Sequence, residues 1–214
     1  MDLNHLNITP AKEKQFNKKG IFTVEDLLRF IPIHYCDYRK PISLEDCIFE
    51  PKMGAVVGIL QQVKKYDKNG KKIITAEVTD SMSRFTLKIT WFQSAYMEKV
   101  ARNLTGRKVI VCNTIKYNQV YKNFETINPI VFSEFSEQYL RIMPVYSKIA
   151  GMSTTYLLER ISEALYLADT DDPYSDELRK EFQLVSVEEL YQYLHNPKTP
   201  SDVSKAHKRL VFEK

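Results

Sequence analysis

The sequence predicts an α+β protein in which a five-stranded β-barrel is flanked by helical segments at both ends of the chain. Near both ends apolar residues recur with the period of an amphipathic helix, whereas in the middle they alternate with polar residues, as in strands with one buried face. The 214 residues, 43% of them hydrophobic, are enough for a substantial core. The predicted domains are an N-terminal helical segment (1–51), the barrel (52–134) and a C-terminal helical segment (135–214).

The N-terminal segment contains two helix starts and a short turn. A helix is predicted to begin at Thr9-Pro10, because threonine is a good cap and proline suits the first helical position, and to end at Gly20. Thr23 is predicted to cap a second helix over residues 24–31, which the following proline stops. Ser43 starts a further short turn with acidic residues at its beginning.

The middle segment is predicted to form five strands. Asn69-Gly70 is a hairpin signal, since both residues tolerate the positive φ angles of a tight turn. The strands are predicted over residues 54–66, 72–79, 84–92, 108–117 and 120–132, with a helix over 94–103. Three strands, a helix and two strands is the order of the OB-fold, a Greek-key barrel that often binds single-stranded nucleic acid. Strand order alone leaves SH3-like barrels and other small β folds open.

The C-terminal segment is predicted to be helical. One helix covers residues 153–168, and shorter helices follow over 176–182, 186–194 and 201–212. Ser186 with Glu189 three residues later is a capping box. The sequence ends directly after the last helix, without a loop or stop signal, so we expect the chain to be part of a longer protein.

The net charge of +4 hides a strongly basic middle third. Residues 52–122 contain 14 basic and 4 acidic side chains and carry a net charge of +10, whereas residues 1–51 and 123–214 are net acidic. Such a block is typical of a surface that faces a polyanion, in the cytosol most often nucleic acid. A lysine surface that is merely solvated would have the same composition.

The third predicted strand has the clearest alternation. One face is apolar and is predicted to be core: Phe85, Leu87, Ile89 and Trp91. The other face carries Arg84, Thr86, Lys88, Thr90 and Phe92, and Tyr96 follows one helical turn later. Cations contact phosphates and rings stack on unpaired bases at about 1–3 kcal/mol per base, so this face is a candidate nucleic-acid surface. Packing of Phe92 and Tyr96 against a helical segment is the alternative.

Further candidate phosphate contacts lie on the other strands. Lys64, Lys65, Lys71 and Lys72 flank the first hairpin turn, where cations at a barrel edge suit backbone phosphates. Lys116 and Lys122 complete the predicted DNA-binding set. The hairpin lysines would equally serve solubility alone.

The sequence contains no motif for catalysis or metal binding. It lacks glycine-rich phosphate loops, and its four histidines lie far from one another and from any cysteine at metal-binding spacing. We therefore predict no catalytic residue, no metal site and no cofactor; Asp169, Asp171 and Asp172 are predicted to lie in a solvated loop. Three irregularly spaced cysteines, with no signal peptide and no apolar run near the ~18 residues of a membrane span, predict a cytoplasmic protein without a membrane segment.

Four runs, in order, resemble the N-terminal part of the bacterial branch-migration helicase RecG, which carries its wedge domain. The first is KGIFTVEDLLRFIPIHYCDYRK (19–40), and the second is WFQSAY (91–96) at the end of the third strand. The third covers residues 140–153, with a Pro-x-Tyr and a later Gly-x-Ser, and the fourth is His195-Asn196-Pro197 together with AHKRLVFE (206–213). The similarity covers nearly the whole chain.

The resemblance implies a specific function. The family is an ATP-dependent helicase that translocates on double-stranded DNA and remodels stalled forks and Holliday junctions in recombination and repair. Its wedge is an OB-fold at the branch point, and Phe92 and Tyr96 match the aromatics that cap exposed bases there. Motor domains with the ATP and magnesium site would follow residue 214, so we expect no ATPase in this chain. The expected partners are branched DNA, single-stranded DNA and those motor domains, with the protein a monomer.

Two other functions remain open from the residues. An OB-type protein-interaction module would use the same basic face to meet an acidic partner. A tRNA-binding OB domain of a synthetase would prefer RNA to a DNA fork. Competition between these ligands distinguishes the three hypotheses.

Overall fold

The computed structural model of the chain describes residues 1–68, 70–92, 95–133 and 139–214, with Lys68, Ala95 and Tyr96 described by their backbone alone. Backbone contacts divide it into two compact units. The helical unit combines residues 1–36 with 142–214, and the sheet unit is formed by residues 37–141. The two helical ends, predicted as separate segments, thus belong to one unit. The boundary predicted at 51/52 lies inside the sheet unit, and the boundary predicted at 134/135 lies outside the described residues.

Within the described residues the chain forms seven α-helices and eight strands, with 3-10 turns at Leu3–Leu6 and Leu44–Cys47. The helices are α1 (Pro10–Asn17), α2 (Val24–Leu28), α3 (Ala95–Leu104), α4 (Thr154–Leu167), α5 (Asp176–Phe182), α6 (Val187–His195) and α7 (Pro200–Phe212). The strands are β1 (His34–Asp37), β2 (Lys52–Lys68), β3 (Lys71–Asp80), β4 (Thr86–Phe92), β5 (Lys108–Asn118), β6 (Asn123–Ile127), β7 (Ile130–Ser133) and β8 (Ile142–Val145). The α+β prediction is therefore confirmed.

A six-stranded mixed sheet forms the body of the sheet unit, in the order β2-β3-β4-β6-β5-β7. β2 also pairs with β5, so that five of these strands close into a ring. Residues 52–59 of β2 pair with β5, and residues 58–68 pair with β3, so the long strand changes partner near Gly58. β4 and β6 run parallel, whereas β2 is antiparallel to both of its neighbours.

Gly58 lies where β2 is paired on both of its edges, opposite Asp80 on β3 and Val109 on β5. A Cβ atom at this position would overlap the carbonyl oxygen of Thr79. The close approach of β2 to β3 therefore requires glycine at this position, because any side chain here would clash with β3.

The core of the sheet unit lies inside this ring. Its buried members include Val56, Leu60, Ile74, Val78, Leu87, Ile89, Trp91, Val109, Val111, Ile115 and Phe124, with Ala101 from α3. The indole Nε1 of Trp91 donates to the Pro129 carbonyl at 3.1 Å, which satisfies the polar atom of this buried ring. The core prediction was wrong for Phe85, which is half-exposed because β4 begins only at Thr86.

Asp80 is a buried charged residue at the end of β3. Its carboxylate accepts backbone hydrogen bonds from Leu44 at 3.0 Å, Met82 at 3.0 Å and Ser83 at 3.2 Å. Burial alone would raise the pKa of this carboxyl, but the hydrogen bonds from Leu44 and Ser83 outweigh it and lower the pKa below its usual value. Asp80 thus fastens the 3-10 turn at Leu44–Cys47 to the β3–β4 turn.

The fifth predicted strand is two strands in the structure. Asn128, between β6 and β7, has a φ of +49°, which interrupts the extended chain. At the first hairpin Gly70 has a φ of +72°, as the turn signal predicts, while Asn69 lies outside the described residues. β1 and β8, which pair with each other, were not predicted.

The helix predictions were confirmed, with ends shifted by a few residues. Thr23 and Ser186 form capping boxes with Asp26 and Glu189. α2 ends at Leu28 rather than at residue 31. Ser94, predicted as the first residue of the barrel helix, lies outside the described residues. Where the chain is described, its helices are all too short or too polar to cross a bilayer.

The helical unit buries an ion pair between its last helix and the loop before α5. The Arg209 side chain is 0% exposed; its Nη1 and Nη2 each donate to the Asp172 carboxylate at 2.8 Å, and its Nε donates to Glu213 at 2.8 Å. The hydrogen bond from Arg209 holds the pKa of Asp172 at about 2. The prediction of a solvated loop was therefore wrong for Asp172.

His195 is the second buried polar anchor of the helical unit. Its Nε2 lies 2.7 Å from the Leu28 carbonyl and its Nδ1 lies 2.7 Å from the Tyr146 hydroxyl. A neutral ring satisfies both contacts, with Nε2 donating to the carbonyl and Nδ1 accepting from the hydroxyl. Burial lowers the pKa of His195 to about 4, so the ring is neutral at neutral pH.

Candidate nucleic-acid interface

The outer face of the closed sheet, opposite the core, carries three rows of side chains that run across the strands. Members of a row lie directly opposite one another in the strand register. The charge row consists of Gln61, Glu77, Lys88, Glu125 and Lys116. The threonine row consists of Lys64, Thr75, Thr90 and Ile127. The aromatic row consists of Tyr66, Ile73 and Phe92.

In the charge row, acidic and basic side chains alternate. Lys88 on β4 lies between Glu77 on β3 and Glu125 on β6. Lys116 on β5 forms an ion pair of 2.9 Å with Glu125, and this hydrogen bond lowers the pKa of the Glu125 carboxyl. Lys88 and Lys116 were predicted as phosphate contacts, but their positive charge is largely balanced by neighbouring carboxylates.

The aromatic row lies near the hairpin that joins β2 and β3. Phe92 ends β4 with 44% of its surface exposed, so it does not pack fully against a helix. Its backbone N–H donates to Asn128 Oδ1 at 3.1 Å, and the Asn128 N–H donates to the Thr90 carbonyl at 2.8 Å. Asn128 thus fixes the end of β4, and the exposed ring of Phe92 is held on the outer face.

A β-bulge places Tyr66 in the same row. The register of β2 and β3 shifts between Gln61 and Lys64, and Gln62 has a φ of +48°. Val56 and Leu60 are buried, so uninterrupted alternation would turn Lys64 and Tyr66 toward the core as well. The bulge instead keeps Val63 against the core and turns Lys64 and Tyr66 outward.

The hairpin lysines surround this end of the sheet. Lys64, Lys71 and Lys72 are exposed and have no ion pair within the part of the chain that the structure describes. Lys65 forms an ion pair of 2.8 Å with Glu98 of α3, and this hydrogen bond lowers the pKa of Glu98. Lys65 therefore ties the first turn of α3 to β2 and has less freedom to bind phosphate than its neighbours.

Tyr96 is the second residue of α3, but its side chain lies outside the described residues. Its backbone lies two residues before Glu98, which the ion pair with Lys65 holds beside β2. The backbone of Tyr96 therefore lies near the hairpin end of the sheet. The contact of its ring with bases stays a prediction.

Arg84 and Lys122 lie at the opposite end of the sheet. Arg84 precedes β4 with a φ of +64°, and Lys122 precedes β6 with a φ of +48°. β4 spans seven residues, so Arg84 is about 20 Å or more from Phe92 along the strand direction. The ten predicted residues thus form no single cluster; those near the aromatic row are Phe92 and the hairpin lysines, with the backbone of Tyr96.

Sequence reasoning missed Tyr66 and Ile73. Tyr66 was included in the first predicted strand without a role, since its face depends on the bulge at Gln62. The signal that was present is its position between Lys64 and Lys71, an aromatic residue within a run of cations. Both side chains are partly or half exposed beside Phe92.

Comparison with known proteins gives a consistent family. The model of the RecG wedge domain matches residues 5–167. The RecG helicase of Thermotoga maritima is 29% identical over 211 residues, and those of Borreliella burgdorferi and Bacillus subtilis are each 26% identical over 210 and 213 residues. The alignments cover 93–98% of this chain but only 26–30% of those three proteins.

A solved structure is similar over the full chain. The structure of RecG bound to a three-way DNA junction superposes with a TM-score of 0.80 and 27% identity, covering 100% of this chain and 29% of that one. The chain thus spans less than a third of the length of these relatives. Its match to the wedge model over most of its residues shows that the chain belongs to the RecG wedge domain family.

Proposed function

We propose that this chain is the OB-fold wedge of a RecG-type ATP-dependent DNA helicase and that it binds branched DNA where strands part. Its ligands would be stalled forks and Holliday junctions, in recombination and repair in the cytoplasm. The observation that carries the proposal is the aromatic row at one end of the sheet, beside exposed lysines that form no ion pair with any described residue. The junction-bound RecG to which the chain is similar supports it.

The strand topology supports the OB-fold part of this proposal. Five strands close into a ring through the β2–β5 pairing, and the helix α3 lies between β4 and β5 in the sequence. An OB-fold is a five-stranded Greek-key barrel. β7 would then be an addition at the edge of β5.

The proposed mechanism combines steric separation with base stacking. The closed sheet blocks the path of a duplex, while exposed rings such as Phe92 stack on bases that have lost their partners. Lys64, Lys71 and Lys72 neutralise backbone phosphates next to those bases. ATP and magnesium would bind to motor domains outside this chain, which would act as a monomer beside them.

The test measures binding of the chain to a labelled three-way junction, a linear duplex and a single strand by fluorescence anisotropy. Phe92→Ala should weaken junction and single-strand binding about 5- to 150-fold, because each stacked base contributes about 1–3 kcal/mol. Linear duplex binding should change little. Phe49→Ala is the matched control, since Phe49 is also exposed in the sheet unit but lies outside the aromatic row.

Three outcomes would contradict the proposal. Equal losses of affinity for the junction and for the linear duplex would contradict a role at the branch point. A preference for tRNA over the DNA junction would favour a tRNA-binding module. Binding of an acidic peptide without binding of any nucleic acid would favour a protein-interaction module.

A further inference from the structure

Tyr66 extends the exposed apolar surface of Phe92 across two more strands. In the register Tyr66 lies opposite Ile73, and Ile73 lies opposite Phe92. Directly opposite side chains on one face have Cβ atoms about 4.5–5.5 Å apart, so the three side chains are neighbours. Tyr66 is 50% exposed and Phe92 44% exposed. The row is thus a continuous strip with an aromatic ring at each end.

This strip is longer than the surface that one stacked base covers. Neighbouring strands lie about 4.8 Å apart, so the backbones at Tyr66 and Phe92 are separated by about 10 Å. A single base stacked on Phe92 leaves the other ring uncovered. A second base of the same strand, unstacked from the first, is within reach of Tyr66.

The exposed cations near the strip lie on both sides of its Tyr66 end. Lys64 lies two residues before Tyr66 on the same face, between the strip and the charge row, and Lys71 lies on the hairpin side of Tyr66. Farther from the hairpin the next charged row is the balanced one of Lys88 and Glu125. Free positive charge is therefore concentrated at the Tyr66 end, where a strand that leaves Phe92 would place its next phosphates.

We infer that Tyr66, supported by Ile73, forms a second base-stacking position, so that one unpaired DNA strand crosses the sheet from Phe92 on β4 to the β2–β3 hairpin. This inference rests on the proposed function and deepens it, because it assigns an additional residue and a direction to the same surface. The ligand is a single-stranded DNA arm of at least two unpaired nucleotides. The hydroxyl of Tyr66 is not needed, since stacking uses the ring.

The test compares variants of the full chain on a three-way junction with an unpaired arm. Tyr66→Thr, which keeps a residue suited to a strand, should weaken binding about 5- to 150-fold, the range expected for loss of one stacked base. Tyr66→Phe should bind as the unmodified chain does. Tyr121→Thr is the matched control, because Tyr121 is 74% exposed on the hairpin between β5 and β6.

A second measurement changes the DNA, so that the number of sensitive positions is found with the unmodified protein and the variants are needed only to assign them. Abasic sites are placed one at a time along the unpaired arm. Two positions at different distances from the branch should weaken binding, one of them losing its effect in Phe92→Ala and the other in Tyr66→Thr. Only one sensitive position, assigned to Phe92, would overturn the second stacking site.

The outcomes separate this inference from the proposed function. If Phe92→Ala weakens junction binding but Tyr66→Thr behaves as Tyr121→Thr does, the second position is wrong and the wedge proposal stands. If Phe92→Ala has no effect on any DNA, the proposed function fails. Equal losses for Tyr66→Phe and Tyr66→Thr would show that the ring is not the contact, which also overturns the inference.

Discussion

The helical unit and the sheet unit use their charged side chains in different ways. In the helical unit Arg209 is fully buried and bonded to Asp172 and Glu213. In the sheet unit Lys64 and Lys71 extend into solvent at the hairpin. A buried and paired charge makes the local structure intolerant of change, whereas an exposed cation leaves the fold intact and is available to an anion.

This difference means that the two units should respond differently to the same kind of substitution. Removing the buried charge of Arg209 from the helical unit should reduce the free energy of unfolding. Removing a charge from the hairpin end of the sheet unit should reduce affinity for DNA without affecting folding. Removing a charge from the charge row should change neither the free energy of unfolding nor the affinity for DNA by much, because its acidic and basic side chains balance one another.

The largest effect is expected for Arg209→Ala. It removes both guanidinium hydrogen bonds from the Asp172 carboxylate, which keeps only the longer ion pair with Arg179 and backbone donors, and breaking a buried ion pair costs about 3–5 kcal/mol. Urea unfolding followed by circular dichroism measures this loss. Arg102→Ala, which removes a surface ion pair with Glu98 one helical turn away, should cost much less, because solvent screens an exposed pair. Similar losses for the two variants would contradict the contrast between the units.

Acid should weaken the helical unit through His195. Its folded-state pKa of about 4 lies below the ordinary value of 6.5, so the unfolded chain takes up a proton first as the pH falls. The contribution of the neutral ring is complete above pH 6.5 and is lost between pH 6.5 and 4, by about 3 kcal/mol in total.

His195→Gln tests this pH dependence, because an amide can also donate to the Leu28 carbonyl and accept from the Tyr146 hydroxyl. Unfolding curves at several pH values should show a flatter pH profile for this variant. His207→Gln, at an exposed position of α7, should keep the profile of the unmodified chain. An unchanged profile in His195→Gln would assign the pH dependence to other groups.

Asp80 is the position where the sheet unit should behave as the helical unit does. Asp80→Ala leaves the N–H groups of Leu44, Met82 and Ser83 without their acceptor. We expect a loss of about 1.5–3 kcal/mol in the free energy of unfolding, as for hydrogen bonds to charged groups. Asp67→Ala at the exposed hairpin is the control. A loss of less than half a kilocalorie for Asp80→Ala would show that the turn is held by other contacts.

The smallest effect concerns the salt dependence of DNA binding. Each phosphate contact contributes about 0.9 to the slope of log affinity against log salt concentration for duplex DNA and about 0.7 for single strands. Lys71→Gln should therefore reduce the slope by somewhat less than one, and its unfolding should be unchanged. Lys116→Gln should leave the slope within error, since Glu125 already balances that charge. The reverse order would show that the charge row opens on binding.

Local chemistry made much of the fold predictable. Thr23 and Ser186 start helices because their side chains accept backbone N–H groups, and that signal lies within four residues of sequence. The alternation of Leu87, Ile89 and Trp91 with polar residues identified the buried face of β4, because this pattern also lies within a few neighbouring residues. Phe92 was identified because an aromatic interrupted a polar face.

Features that depend on register were beyond the sequence. The charge row exists only because Lys88 lies between Glu77 and Glu125, and these residues come from three different strands. The exposure of Tyr66 depends on the positive φ of Gln62. Glutamine is not typical of positive φ angles, so the sequence does not indicate a bulge at this position. Asp172 was assigned to solvent because its partner Arg209 is 37 residues away in the chain.

The closure of the ring imposes an order on folding. The first half of β2, residues 52–59, pairs with residues 108–115, so this edge stays open until the chain has been synthesised beyond residue 108. The hairpin of β2 and β3 has only local contacts and can form earlier. A ribosome-bound chain would therefore expose an unpaired, apolar strand edge during this interval, when pausing or slow translation favours aggregation. The two pairings of β2 meet at Gly58. This residue therefore separates the pairing with β3, which can form early, from the pairing with β5, which forms later.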